Sequence, residues 1–180
     1  MVLTVNELIE RYLTLKRLPR TGWIQRGVNN PETIASHCWG VSFLTILIAD
    51  HLKKRGLDIN TEKCLKMAII HDFHEAVIGD IPTPALDPNT KKMIEKNAIE
   101  HTIDVPEYRE LSIEYIEGSS LEAKIVRLAD LLDMVLQAGD YASDGFSRVR
   151  EFSRLIETIR KHPLYEGVKD LIEKILSTRW

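Results

Sequence analysis

Cysteine, long apolar runs and a dominant sign of charge are all scarce in this 180-residue chain. The two cysteines, Cys38 and Cys64, stand far apart and match no zinc-ligand spacing, which excludes a disulfide framework and a cysteine-rich metal module. They read as reduced thiols of a cytoplasmic protein. No apolar stretch reaches the roughly 18 residues that suggest a membrane span; Val41 to Ala49 comes nearest and is bounded by Asp50 and His51. Met1 to Val5 lacks the basic segment and apolar run of a signal peptide. A net charge of −3 gives no general pull toward nucleic acid or an anionic membrane. The basic runs Lys53-Lys54-Arg55 and Lys91-Lys92 are short and read as solvated helix faces. Repeats, low-complexity tracts and the two-residue alternation of strands are absent as well. What remains is one globular domain over residues 1–180, with 44% hydrophobic residues to build a core.

The pattern that is present is helical throughout, so the fold class expected is all-α. Thr4 and Glu7 form a capping box for a helix to about Lys16, closed by Pro19. Residues 18–31 read as a loop by their glycine, proline and asparagine content. Pro31-Glu32 opens a long, mostly apolar helix to about Arg55, with Gly56 as its stop. Asn60 caps a helix expected to run unbroken to Gly79. Residues 88–104 and 106–117 give two helices with heavily charged surfaces. Ser120 caps a helix to about Tyr141 whose apolar residues occupy nearly the whole circumference, which marks it as central and buried. Residues 146–161 and 163–178 read as two closing amphipathic helices.

The chain is organised around Ile69-Ile70-His71-Asp72-Phe73-His74-Glu75. The run Met67 to Ile70 builds an interior, and His71-Asp72 follow at once. Burying such groups costs free energy unless they are paired or bind a metal. On a helix, Glu75 shares a face with both. An imidazole and carboxylates at one place suit a first-row divalent ion. The ordinary alternative is a cap or salt bridge. Other residues join the set: His37 near the start of the long apolar helix, and Asp130 on the central helix, with Asp133 as a rival to it. Lys124 or Arg127 would be the salt-bridge partner of Asp130 if no metal were involved. Asp80 in Gly79-Asp80-Ile81-Pro82-Thr83-Pro84 is either a turn cap or a polar contact at a pocket mouth. Trp23 between Arg20 and Arg26 is either a core anchor or a clamp for a ring and a phosphate.

The order His37, His71-Asp72, Asp130 resembles the HD-domain metal-dependent phosphohydrolases. Ser36-His37, His71-Asp72-x-x-Glu75, residues 79–84 and Lys124 to Asp130 narrow the resemblance to the 5′-deoxynucleotidase branch, over about residues 12–142. The resemblance implies an HD-domain helical bundle with one divalent ion, cobalt, manganese or similar, between its central helices. It implies His37, His71, Asp72 and Asp130 as ligands, and Glu75 and Asp80 as catalytic residues. Trp23 would pack by the deoxyribose, with Arg20, Arg26 and Thr83 as further substrate contacts. Some bacterial members have an arginine directly before that tryptophan, where this chain has Gly22. The resemblance further implies a deoxynucleoside 5′-monophosphate as substrate and a homodimer. Two other readings stay open on sequence: a nucleotide- and metal-binding regulatory module, and an HD hydrolase of another nucleotide phosphate ester.

Overall fold

The computed structural model describes residues 4–82 and 85–180. The described chain is helical, and its one β-type contact is an isolated bridge between Pro19 and Thr33. In order the helices are α1 (Val5–Leu15), α2 (Thr21–Gln25), α3 (Ile34–Lys54), α4 (Thr61–Ile70), α5 (Glu75–Ile78), α6 (Pro88–Thr102), α7 (Pro106–Glu117) and α8 (Leu121–Ser143). A 3-10 helix (Ser147–Arg154), α9 (Leu155–Arg160) and α10 (Tyr165–Leu176) follow.

The expected caps form. Thr4 and Glu7 make both bonds of the capping box on α1. Asn60 accepts from the Lys63 amide at α4, and Ser120 from the Ala123 amide at α8. Gly118 ends α7 in the left-handed region at φ +63°, a conformation that favours glycine.

α3 and α8 are the central pair, and α4 packs against both. Their shared core includes Val41, Ile48, Met67, Leu128, Leu132 and Val135, all fully buried. α7 covers α4 and α8, and α10 lies on α3. Ile48 lies within this core on α3, away from the polar groups described below. Ile48→Ala should therefore lower stability by about 2–5 kcal/mol, the usual cost of a large core truncation, read as a reduced urea midpoint at unchanged slope. An unchanged midpoint would mean that the α3–α8 interface does not carry the fold.

Four segments differ from the sequence expectation. α3 starts at Ile34 rather than Pro31, because Thr33 is the residue whose side chain caps it, accepting from the Ser36 amide. The supposed loop 18–31 contains α2, whose Trp23 is only 2% exposed and packs in a satellite core with Val28, Tyr141 and Val149. The first closing helix is largely 3-10 in form. Three residues per turn bring Val149 and Phe152 to the same side, toward Trp23 and Tyr141. The helix from Asn60 breaks at Ile70, and this break makes the site.

Candidate metal centre

α4 stops where a buried ring takes over a backbone acceptor. His71 Nδ1 lies 2.8 Å from the Ala68 carbonyl, which would receive the Asp72 amide in a continuing helix. Residues 71–74 instead form a tight turn, with Phe73 N–H donating to Ile70 O at 2.9 Å and Glu75 N–H to Asp72 O at 3.0 Å. Because a carbonyl can only accept, Nδ1 carries a proton, and in the neutral ring it is Nε2 that holds the lone pair. The turn thus replaces the helical face expected to join His71, Asp72 and Glu75.

That lone pair faces a cluster drawn from several helices. The His71 Nε2 lies 3.2 Å from Asp72 Oδ2, and His37 Nε2, arriving from α3, lies 3.7 Å from the same oxygen. Donor atoms of His37, His71 and Asp72 all fall within 4.8 Å of one another. Asp130 joins from α8, its Oδ1 at 3.2 Å from His37 Nε2. Both Nε2 atoms are buried and make no hydrogen bond. Orphaned buried nitrogens are costly in a finished core, and two of them facing carboxylates fit a divalent cation.

The electrostatics are those of a site built around charge. Burial pushes the Asp130 carboxyl up, but the facing His37 outweighs it and brings it down to about 2. Burial and Arg20 push the His37 imidazolium down, and the Asp130 and Asp133 carboxylates outweigh them, bringing it to about 9. Burial likewise opposes ionisation of Asp72, yet His71 and Arg20 hold it well below the usual carboxylate range. Glu75 behaves oppositely. Burial first, and the Asp72 charge second, push it well above the usual range. It is 5% exposed, and its Oε2 has no hydrogen-bond partner.

Arg20 is brought to this cluster. Its Nη1 is 3.0 Å from Asp72 Oδ2, and its Nε is 4.0 Å from Asp80 Oδ2. Asp80 is fixed by α2: the Thr21 amide donates to its Oδ2 at 2.7 Å and the Thr21 hydroxyl to its carbonyl at 3.0 Å. Arg26 goes elsewhere, donating through Nε to Glu151 at 2.7 Å and lying over the Phe152 ring. The Trp23 indole donates to Glu32 Oε1 at 2.8 Å and packs edge-on against Tyr141, which makes it the anchor of α2. Thr83 lies outside the described residues.

Three residues were missed or misjudged in the sequence. Tyr115 donates to Asp130 Oδ2 at 2.7 Å, and its ring centroid is 5.0 Å from that of His71. It sits on α7, where the charged pattern gave no sign of a buried polar contact. Asp133, the expected rival of Asp130, bonds the opposite side of His37 instead. His74 is 2% exposed with neither ring nitrogen partnered, and burial lowers it to about 4. Tyr115→Phe should weaken divalent-ion binding by about tenfold, the low end for losing a partner that orients a ligand. Competition with a chromophoric chelator measures this, and an unchanged affinity would remove Tyr115 from that role.

A helical bundle that gathers a His-Asp turn, a histidine and a further aspartate from separate helices belongs to a recognisable class. The HD domain family model matches residues 13–172, and the chain belongs to that family. Its relatives carry more particular names. It is 35% identical over 163 residues to 5′-deoxynucleotidase HDDC2 of Danio rerio, spanning 86% of this chain and 78% of the relative. It is 31% identical over 186 residues to 5′-deoxynucleotidase hdd1 of Schizosaccharomyces pombe, spanning 96% and 90%. The crystal structure of the PH0347 protein from Pyrococcus horikoshii OT3 matches with a TM-score of 0.88 at 44% identity, covering 96% of this chain and 99% of that one. No helix among the described residues is long and apolar enough to cross a membrane.

Proposed function

We propose that this protein is a 5′-deoxynucleotidase: a divalent-metal-dependent phosphohydrolase that releases phosphate from deoxynucleoside 5′-monophosphates. The observation that carries the reading is the pair of buried Nε2 atoms of His37 and His71, neither hydrogen-bonded, converging with the carboxylates of Asp72 and Asp130. Membership of the HD domain family supports it, and the names of two relatives supply the substrate class.

His37, His71, Asp72 and Asp130 would hold one ion. When bound, such an ion lowers the pKa of its water and offsets the charge of a phosphate dianion. Glu75, whose burial favours the acid form, would give a proton to the leaving 5′-oxygen. Arg20 keeps its positive charge among Asp72, Asp80, Glu75 and Asp130, which suits it to orient a phosphate oxygen. It stands in for the arginine that Gly22 replaces. Asp80, pinned by Thr21, faces the sugar and leaving group. Trp23 acts through burial, holding rigid the α2 wall on the deoxyribose side.

We also propose a cytoplasmic homodimer. The dimer is supported by the exposed pair Trp39 and Phe43 on α3, 72% and 50% exposed and stacked at 5.9 Å, a patch that favours an apolar partner.

The test is phosphate release from deoxy- and ribonucleoside 5′-monophosphates after chelation and re-addition of cobalt, manganese, magnesium or zinc. Metal-dependent release favouring the deoxy series is expected. Release without sugar preference would keep the phosphohydrolase and discard the selectivity. Ion binding without release from any monophosphate would favour a regulatory module or another phosphate ester.

A further inference from the structure

Asp130 and Asp133 lie one helical turn apart on α8 and reach opposite nitrogens of one imidazole. Asp130 Oδ1 is 3.2 Å from His37 Nε2, on the side shared with His71 and Asp72. Asp133 Oδ2 is 2.8 Å from His37 Nδ1, on the other side. A neutral imidazole has one N–H and one lone pair. A carboxylate on Nδ1 holds the proton there and leaves the Nε2 lone pair for a cation. The backbone makes room for this contact. A Cβ added at Gly40 would collide with Asp133 Oδ1 and come within 2.9 Å of its Cγ. Glycine weakens a helix interior, so α3 gives up stability at the one turn where Asp133 must approach His37.

We propose that Asp133 is a positioning residue: by accepting the Nδ1 proton of His37 it fixes the tautomer and ring angle that aim Nε2 at the ion, in space that Gly40 leaves open. The proposal rests on the metal reading above. It also excludes a competing site. Donor atoms of Glu32, His37 and Asp133 likewise lie within 4.8 Å of one another, which would put an ion on Nδ1. Glu32 is poorly suited to that site: its Oε1 accepts from the Trp23 indole at 2.8 Å. Burial also raises it above the usual carboxylate range, against the charge a cation needs. Asp133 on His37 and Tyr115 on Asp130 then form a matched outer pair, each holding one ligand from behind.

Two measurements test this on the full chain. The first is cobalt affinity, by chelator competition, for the unaltered protein, Asp133→Ala, Asp133→Asn and His37→Ala. Asp133→Ala should bind about 10–100-fold more weakly. Asp133→Asn, whose amide oxygen still accepts from Nδ1, should keep most of the affinity. The cobalt absorption spectrum at saturation should stay the same in both, since Asp133 is not a ligand. Unaltered affinity in Asp133→Ala would overturn the proposal. So would a fall of both variants to the His37→Ala level with a changed spectrum, which would make Asp133 a ligand. The second measurement needs no variant, and so does not depend on Asp133→Ala folding. Nitrogen NMR of the zinc-loaded protein should show His37 protonated at Nδ1, and metal on Nδ1 would overturn the proposal. If the unaltered protein binds no ion, or His37→Ala binds as well as it does, the metal reading fails and this proposal with it. Loss in His37→Ala without loss in Asp133→Ala sinks this proposal alone.

Discussion

Replacing His71 with alanine should abolish stoichiometric binding of a divalent ion, and phosphate release with it. The side chain is 1% exposed, and its Nδ1 donates to the Ala68 carbonyl. Its Nε2 faces the Asp72 carboxylate at 3.2 Å. Losing a partner behind a ligand typically costs 10–100-fold in affinity, and losing a donor itself should exceed about 100-fold by the same scale. Metal content after dialysis and chelator competition read the effect, with circular dichroism to show that the helices persist. A variant that keeps one ion per chain at near-normal affinity would sink the ligand assignment. His71→Ala is a cleaner test than Asp72→Ala. Asp72 also faces Arg20 at 3.0 Å, and removing it would leave a buried guanidinium without its main counter-charge, a folding defect in its own right.

Glu75→Gln should show the opposite pattern: the ion stays and turnover falls by about 10²–10⁴-fold, the range for removing a general acid. Glutamine has the shape of the protonated glutamic acid but no acidic proton to give. Since burial and Asp72 already favour the neutral form, the exchange should leave the fold intact. Glu75→Ala should likewise keep the ion and lose turnover. The sign of the pH dependence follows from the same shift. A donor is active while protonated, so the rate should fall as pH rises through the elevated Glu75 value. The folded state prefers the neutral form, so the stability contributed by Glu75 is full below the ordinary carboxylate value. It is lost as pH rises through the folded one. Glu75→Gln should remove that loss from the apo protein. Near-normal turnover in metal-loaded Glu75→Gln would take the proton transfer away from this residue.

Much of the helical frame was legible because its signals are local. Side chains three or four residues apart decide an amphipathic face, and a cap is settled within four residues, as at Thr4, Asn60 and Ser120. The break after Ile70 was not legible. It depends on the His71 ring reaching the Ala68 carbonyl, while the pattern from Asn60 to Gly79 suits an unbroken helix. The 3-10 form of residues 147–154 was hidden for a similar reason: it answers to the position of Trp23 and Tyr141 rather than to its own sequence.

The sequence by itself determined an all-α chain and drew attention to His37, His71, Asp72 and Asp130, because charged groups beside apolar runs are costly without a partner. Only the tertiary structure decided what each one touches. It sent Arg20 to Asp72 and Arg26 to Glu151, though both lie in the same short stretch. It buried Trp23, put Tyr115 on Asp130, and set Asp130 and Asp133 on opposite nitrogens of His37. Contacts of 2.8–3.2 Å between residues as far apart as His37 and Asp133 depend on how α3 and α8 pack. Helix packing is set by the whole core, and local spacing carries no record of it.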